Sequence, residues 1–225
     1  MNVGIIVAAG KSERMGPNVD KAFLSLGTKP VLAYSLTAYE QCRDIDGIVL
    51  VVRKDRVEAA HGVTHMFGCS KVLRIVAGGA KRQTSVSNGL ACLDEDASIV
   101  SIHDGARPCI TPELISETIK VAKRCGSAVA AAKITDTVKY VERGYTVTRT
   151  VDRAKLWSVQ TPQTFKRELL TEAFALLSKK GITVTDDASA VEMVAQRVRL
   201  VPSPLPNIKI TTADDLAVAA ALLKL

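Results

Sequence analysis

Short apolar runs of strand length recur through this chain, separated by longer segments with helical period. The runs are Val3–Val7, Ile48–Val52, Val72–Val76, Ile99–Ile102, Ala128–Ala132 and Arg199–Val201. Helical period marks Pro30–Gln41, Arg56–Phe67, Arg82–Leu93, Pro112–Arg124, Lys166–Lys179 and a last segment at Ala213–Leu223. A strand with one wet face alternates apolar and polar residues. These runs show little alternation, so both faces of their sheet must be covered. Parallel strands joined by helical crossovers provide that cover.

The expected fold is therefore α/β: a Rossmann-like, mostly parallel sheet with helices on both faces. With 225 residues, 47% of them hydrophobic, one domain spanning 1–225 can bury its own core. That apolar content excludes disorder, and no apolar run approaches the ~20 residues of a membrane span. Two helix starts are marked. Thr111 offers a cap before Pro112 and Glu113, and Thr212 with Asp215 has the spacing of a capping box. One segment breaks the rhythm. Within Lys133–Lys155, the β-like runs Thr137–Val141 and Tyr145–Val151 flank Glu142-Arg143-Gly144, and Thr146, Thr148 and Thr150 alternate with Val147, Arg149 and Val151. The pattern predicts an inserted β-hairpin arm that projects from the body and packs on a second subunit.

In an open α/β sheet, ligands bind beyond the carboxyl ends of the strands, so the loops there carry the chemistry. After the first run comes Ala8-Ala9-Gly10-Lys11-Ser12-Glu13-Arg14-Met15-Gly16. Its small residues let backbone N–H groups approach an anion. Ser12 stands where a dinucleotide fingerprint needs its second glycine, and no G-K-[ST] follows at Walker spacing. Arg14 and Lys21 suit a polyphosphate; a solvated loop with ordinary surface charges explains them equally well. Gly78-Gly79-Ala80-Lys81-Arg82-Gln83-Thr84-Ser85 follows the third run, and its Ser85 suits either a helix cap or a base contact. His103-Asp104-Gly105-Ala106-Arg107-Pro108 follows the fourth, where Asp104 suits a divalent cation, a ribose hydroxyl or simply a turn.

Lys and Arg exceed Asp and Glu by 30 to 23, a net charge of +7. The excess points to a polyanion. The basic residues are scattered and aromatic residues make up only 4%, which disfavours stacking on single-stranded nucleic acid. The five cysteines, Cys42, Cys69, Cys92, Cys109 and Cys125, form no C-x-x-C. They read as free thiols in a reducing compartment, and the first strand leaves no room for a targeting segment, so a cytoplasmic protein is expected. His61 and His65 lack a third ligand at metal spacing and read as ordinary helix residues.

Taken together, A-A-G-x-x-x-R-M, D-K-x-F-L-x-L-x-x-K-P-V-L, G-G-x-x-R-x-x-S-V-x-N-G-L and H-D-G-A-R-P resemble the sugar-phosphate cytidylyltransferases. V-D-R-x-x-L-W, T-P-Q-x-F, T-D-D-A-S-A-V-E and N-I-K-I-T narrow the resemblance to the 2-C-methyl-D-erythritol 4-phosphate cytidylyltransferase family, over nearly the whole chain. The resemblance implies transfer of CMP from CTP to that sugar phosphate with release of pyrophosphate, Mg²⁺ as cofactor and a homodimer joined through the arm, with no nucleic-acid or membrane partner. It implies that Ala8, Ala9, Gly10, Arg14 and Lys21 wrap the nucleotide, with Arg14 and Lys21 on its phosphates. Gly79 and Ser85 would read the cytosine, and Asp104 would sit by the ribose and the magnesium. Arg107, Thr137, Arg153, Thr185 and Lys209 would serve the acceptor and the transferred phosphoryl group. Of these, Thr137 and Arg153 would act in the neighbouring subunit's site.

Three departures from the family pattern stand out. Ser12 replaces a common glycine, Asp20 and Ala22 flank Lys21 where Pro and Gln are frequent, and Ala80 stands where an acid often holds the cytosine amine. None removes a charge that the chemistry needs. The acceptor phosphate is already anionic, so the reaction needs positioning and cations rather than a strong base. Ribitol-5-phosphate cytidylyltransferases share most of these motifs, and a non-catalytic nucleotide-binding module is a further alternative. A dinucleotide-dependent oxidoreductase is disfavoured by Ser12 and by Arg53-Lys54, where a ribose-binding acid is expected.

Overall fold

The computed structural model describes residues 1–10, 15–16, 19–194, 197–203 and 206–225. The expected strands form as β1 (Asn2–Ala8), β4 (Gly47–Val52), β5 (Val72–Ala77), β6 (Ile99–Asp104), β7 (Ser127–Lys133) and β11 (Leu200–Pro202). The expected helices form as α1 (Val31–Gln41), α2 (Val57–Met66), α3 (Arg82–Leu90), α4 (Pro112–Cys125), α5 (Arg167–Lys180) and α7 (Asp214–Leu223). A ribbon of β2 (Ser25–Leu26) and β3 (Lys29–Pro30) leads into α1, and α6 (Asp187–Glu192) precedes β11. The arm is an antiparallel pair, β8 (Val138–Val141) with β9 (Val147–Val151), separate from the main sheet.

Among the described residues the main sheet has seven strands in the order β11-β7-β10-β6-β1-β4-β5, where β10 is Trp157–Lys166. All its neighbouring pairs are parallel except the two that β10 makes, with β6 and with β7. The pleat sends successive side chains to opposite faces. Ile6, Leu50 and Val52 meet Leu32, Leu36 and Tyr39 of α1 and Ile115 and Ile119 of α4. Ile5, Val49 and Val51 join Phe165 beneath Val86 of α3 and Leu170, Phe174 and Leu177 of α5. Both faces are thus covered, as the unbroken runs require.

The run Trp157–Lys166 was not expected as a strand, and Lys166, expected to open a helix, ends it. Its middle, Gln160-Thr161-Pro162-Gln163-Thr164, reads as a loop because polar side chains and a proline interrupt it. A register shift between Val159 and Gln163 accommodates the interruption. The Thr161, Gln163 and Thr164 side chains can be buried here because each finds a partner. Thr164 Oγ1 lies 3.1 Å from Ser101 Oγ and 2.9 Å from Thr118 Oγ1, and Tyr39 Oη lies 3.0 Å from Ser101 Oγ. With Thr118 donating to the Ile115 carbonyl, one proton per hydroxyl satisfies the whole chain. α6, six residues long, is too short to show a period.

The Thr111 cap forms, accepting from Leu114 N–H at 3.4 Å. The expected capping box forms by half: Asp215 Oδ2 accepts from the N–H groups of Thr211 and Thr212, while the helix starts at Asp214 without a side-chain cap. All five cysteines are free, and His61 and His65 are exposed on α2. No helix of the described residues is long and apolar enough to cross a membrane.

Phe165 is fully buried between β10 and α5, so Phe165→Ala is expected to cost about 3–5 kcal/mol, read as a lower urea midpoint with an unchanged slope. A cost below about 1 kcal/mol would place β10 at an edge rather than inside the sheet.

Candidate active site

β1 is flanked by β4 and β6. From β1 the chain moves outward through β4 and β5, then returns to the other side of β1 as β6. The loops beyond β1 and β6 therefore diverge, and a crevice opens where the strand order reverses. A cleft of about 810 Å³ lies there, lined by Ala8, Ala9 and Gly10 after β1, Arg53 and Lys54 after β4, Gly78–Arg82 after β5 and Asp104 at the end of β6. Lys21 and Lys209 complete it. Among the described residues, six Lys and Arg side chains border it against three carboxylates, Asp20, Asp55 and Asp104. A polyanion is the complementary ligand.

The first two loops pack directly on each other. Gly78 donates its N–H to the Val52 carbonyl at 2.7 Å, and a Cβ on it would lie 2.3 Å from Ala9 Cβ and 2.7 Å from Ser85 Oγ. No side chain fits between them. Ser85 is buried and folds the glycine loop back on α3. Its hydroxyl accepts from Gly79 N–H at 3.1 Å and reaches the Lys81 carbonyl at 3.2 Å. It is therefore not the N-cap; Lys81 holds that position.

Asp104 gathers the cations. Oδ1 accepts from Arg82 Nε at 3.0 Å, Oδ2 accepts from Lys209 Nζ at 2.7 Å, and Arg107 Nε stands 3.8 Å from Oδ2. Burial on its own would raise the Asp104 carboxyl, but Arg82 and Lys209 hold it far below the usual carboxylate range. The segment that carries Lys209 is pinned at several points. Arg107 Nη1 donates to the Asn207 carbonyl at 2.7 Å, Asn207 Nδ2 donates to the Thr161 carbonyl at 2.6 Å, and Ile210 N–H donates to the Ala106 carbonyl at 2.8 Å. Behind Asp104, its N–H donates to Thr161 Oγ1 at 3.1 Å, and that hydroxyl lies 3.0 Å from His103 Nδ1. His103 Nε2 faces the Arg107 carbonyl at 3.3 Å and so carries the proton, leaving Nδ1 as the acceptor. Burial pushes this imidazole down to about 3, so it stays neutral.

A second cleft of about 280 Å³ adjoins the first and shares Arg82, Asp104 and Lys209 with it. Arg107, Thr161, Thr185 and Asp186 line its far side. Two compartments that share a row of cations suit two anionic groups brought close together.

Most of the residues singled out from the sequence converge here. Ala8, Ala9, Gly10, Lys21, Gly79, Ser85, Asp104 and Lys209 line the first cleft, and Arg107 and Thr185 the second. Thr137 and Arg153 line neither. They are exposed at the base of the arm, where the Arg153 guanidinium donates to the Thr135 carbonyl. Arg14 and Ser12 lie outside the described residues. Sequence reasoning missed Arg82, which borders both clefts, although it stands inside the quoted G-G-x-x-R motif. It also missed Asp187, whose Oδ2 lies 2.8 Å from Arg82 Nη2.

Asp104, expected beside a magnesium ion, has both oxygens engaged by cations, and no cluster of three or more potential metal-ligating side chains occurs among the described residues. The site builds no cage for a resident metal. It fits a divalent ion held chiefly by phosphate oxygens, with Asp104 at its border, which is how magnesium commonly meets nucleotides.

A family model described as 2-C-methyl-D-erythritol 4-phosphate cytidylyltransferase matches residues 2–225. A Dehalococcoides mccartyi protein of that name is 46% identical over 220 residues, covering 98% of this chain and 95% of its own. One from Alkaliphilus oremlandii is 43% identical over 221 residues, covering 98% of this chain and 94% of its own. The fold is similar to the crystal structure of 4-diphosphocytidyl-2C-methyl-D-erythritol synthase from Anaerococcus prevotii. That match has a TM-score of 0.87 and 31% identity, covering 99% of this chain and 98% of the other. A 2-C-methyl-D-erythritol 4-phosphate cytidylyltransferase from Thermus thermophilus matches with a TM-score of 0.82 and 31% identity over the full length of both chains.

The two buried groups give stability a distinct acid dependence. An unfolded imidazole binds its proton near 6.5, whereas folded His103 binds one only at about 3. The unfolded chain therefore holds more protons in that interval, and stability present above pH 6.5 is lost as pH falls toward 3. Asp104, depressed by its cations, contributes stability that is present above about pH 4 and lost below it. Urea unfolding of His103→Gln is expected to lose the slope between pH 6.5 and 4 and to keep the one below. An unchanged slope in the upper window would show that His103 titrates normally.

Proposed function

The chain belongs to the 2-C-methyl-D-erythritol 4-phosphate cytidylyltransferase family, and we infer from that membership how its two clefts divide the work of moving CMP from CTP to 2-C-methyl-D-erythritol 4-phosphate. The observation that supports the assignment of parts is the cation row Arg82, Lys209 and Arg107 around one carboxylate at the junction of the clefts. We place CTP in the larger cleft. Backbone N–H groups of Ala8, Ala9 and Gly10 face its phosphates together with Lys21 and Arg14, the latter outside the described residues. Gly79 and Ser85 lie by the cytosine. The Ser85 proton goes to the Lys81 carbonyl and one lone pair takes the Gly79 N–H, so one lone pair is left to accept from the cytosine amine. That contact would serve where Ala80 offers no carboxylate.

The acceptor phosphate lies in the smaller cleft, near Arg107, Thr185 and Lys209. One of its oxygens attacks the α-phosphorus. A P–O bond forms there as the bond to the α,β-bridging oxygen breaks, and pyrophosphate leaves with the electron pair. The nucleophile is already anionic, so no residue need remove a proton. The chain's task is to hold two polyanions in line and to meet the charge that grows on the phosphoryl oxygens. Lys209 is built for this: it is fixed on Asp104 yet its side chain is 34% exposed at the junction. Magnesium, entering with the triphosphate, would neutralise further phosphate charge. Thr137 and Arg153 are exposed and line neither of their own chain's clefts, which suits an arm that supplies them to a second copy.

With CTP, the protein is expected to release pyrophosphate far faster with 2-C-methyl-D-erythritol 4-phosphate than with ribitol 5-phosphate, and the reverse order would overturn the acceptor. Lys209→Ala should remain folded and lose turnover by roughly 100-fold or more, on the scale of losing one pre-placed donor. If the arm acts across a dimer, mixing Arg153→Ala with Lys209→Ala should restore about a quarter of wild-type activity, because half the random dimers hold one intact site of two. Failure of the mixture to exceed its inactive parents would place Arg153 in its own subunit's chemistry or in none.

A further inference from the structure

Arg82 stands between two carboxylates, and the manner of its division matters. A guanidinium presents Nε–H and one Nη2–H along a single edge, and that edge preferentially grips both oxygens of one carboxylate in a fork. Here the edge is split. Nε donates to Asp104 Oδ1 at 3.0 Å, while Nη2 is drawn to Asp187 Oδ2 at 2.8 Å. Asp187 is buried at 1% exposure on the first turn of α6, a segment strapped to the start of α3 on either side of Arg82. Lys81 Nζ donates to Thr183 Oγ1 at 2.9 Å, and the Gln83 side chain bonds the Ile182 carbonyl at 3.3 Å and the Val184 N–H at 3.2 Å. Three consecutive side chains thus fix the distance between Asp187 and Asp104. Because Nη2 is held away, Asp104 Oδ2 accepts Lys209 alone at full hydrogen-bond distance, with Arg107 only at 3.8 Å.

We propose that Asp187 is a positioning residue for the transfer reaction: by holding one arm of Arg82, it prevents that arginine from closing a two-armed pair with Asp104 and so reserves Oδ2 for Lys209. The inference rests on the reading of Lys209 as the cation that meets the phosphoryl group. Without the Asp187 charge, Arg82 rotates onto both Asp104 oxygens and Lys209 loses its anchor. The effect of Asp187 on turnover then passes through Lys209, and only an arginine at position 82 can deliver it, since a lysine has no second arm.

The test is a double-mutant cycle with a second-site rescue, on the full chain with CTP and 2-C-methyl-D-erythritol 4-phosphate. Asp187→Asn is expected to lower turnover by about 30-fold, and the same change in Lys209→Ala to lower it by less than about threefold further. Adding Arg82→Lys to Asp187→Asn should recover turnover by about fivefold or more, which a purely structural role of Asp187 would not allow. Additive losses, or no recovery, overturn the proposal. Should Asp187→Asn fail to fold, Arg82→Lys alone decides, because it leaves Oδ2 to Lys209 and must lose less turnover than Lys209→Ala; an equal loss overturns it. A wild type that releases no pyrophosphate refutes the functional reading instead. In that case the same cycle read by thermal unfolding still decides, since coupling of Asp187 to Lys209 through Asp104 must appear there as non-additivity.

Discussion

The site depends on one buried carboxylate. Asp104 ends a central strand with its side chain 9% exposed, and an unpaired charge in that position would cost several kcal/mol. Arg82 from α3 and Lys209 from the segment before α7 pair with it, and Arg107 from its own loop stands close by. Each cation comes from a different part of the chain, so this carboxylate also joins those parts into one cleft. The same charge that stabilises the fold therefore sets the spacing of the cations where the two clefts meet.

Support for that carboxylate reaches back into the core. Its N–H bonds Thr161, Thr161 bonds His103, and His103 lies against the Tyr39 ring with centroids 5.5 Å apart. Tyr39 in turn begins the hydroxyl chain through Ser101 and Thr164 to Thr118. Polar groups this deep are tolerated because every one is paired, and a paired network fixes positions more narrowly than apolar packing does. The cost of such precision is acid sensitivity, since both His103 and Asp104 must keep their protonation state for the network to hold.

The fold was legible where burial and period coincide. β1, β4, β6 and β7 have strand-length apolar runs because they are covered on both sides, and α4 announces its start in Thr111-Pro112. β10 was not legible, since buried Thr161, Gln163 and Thr164 look like a loop until their partners on β6, α4 and the start of α6 are known. The site was legible in the same uneven way. Gly79, Asp104 and Arg107 lie at strand ends, where topology alone places ligands. Arg82 and Asp187 sit on helices 105 residues apart, and no local pattern relates them.

The amino-acid sequence by itself determined the covered, mostly parallel sheet, the inserted hairpin, the placing of small and basic residues after the strands, and through its motifs the family. These follow from short-range rules: the pleat's period of two, the helix's period of 3.6, and the conformations open to glycine and proline. Only the tertiary structure decided which cation takes which oxygen of Asp104, that β10 runs antiparallel through the middle of the sheet, and that Arg82 is shared with Asp187. Those outcomes depend on distances between groups remote in the chain. A buried charge selects its partners by proximity and hydrogen-bond angle after the chain has closed, and sequence spacing carries no record of either.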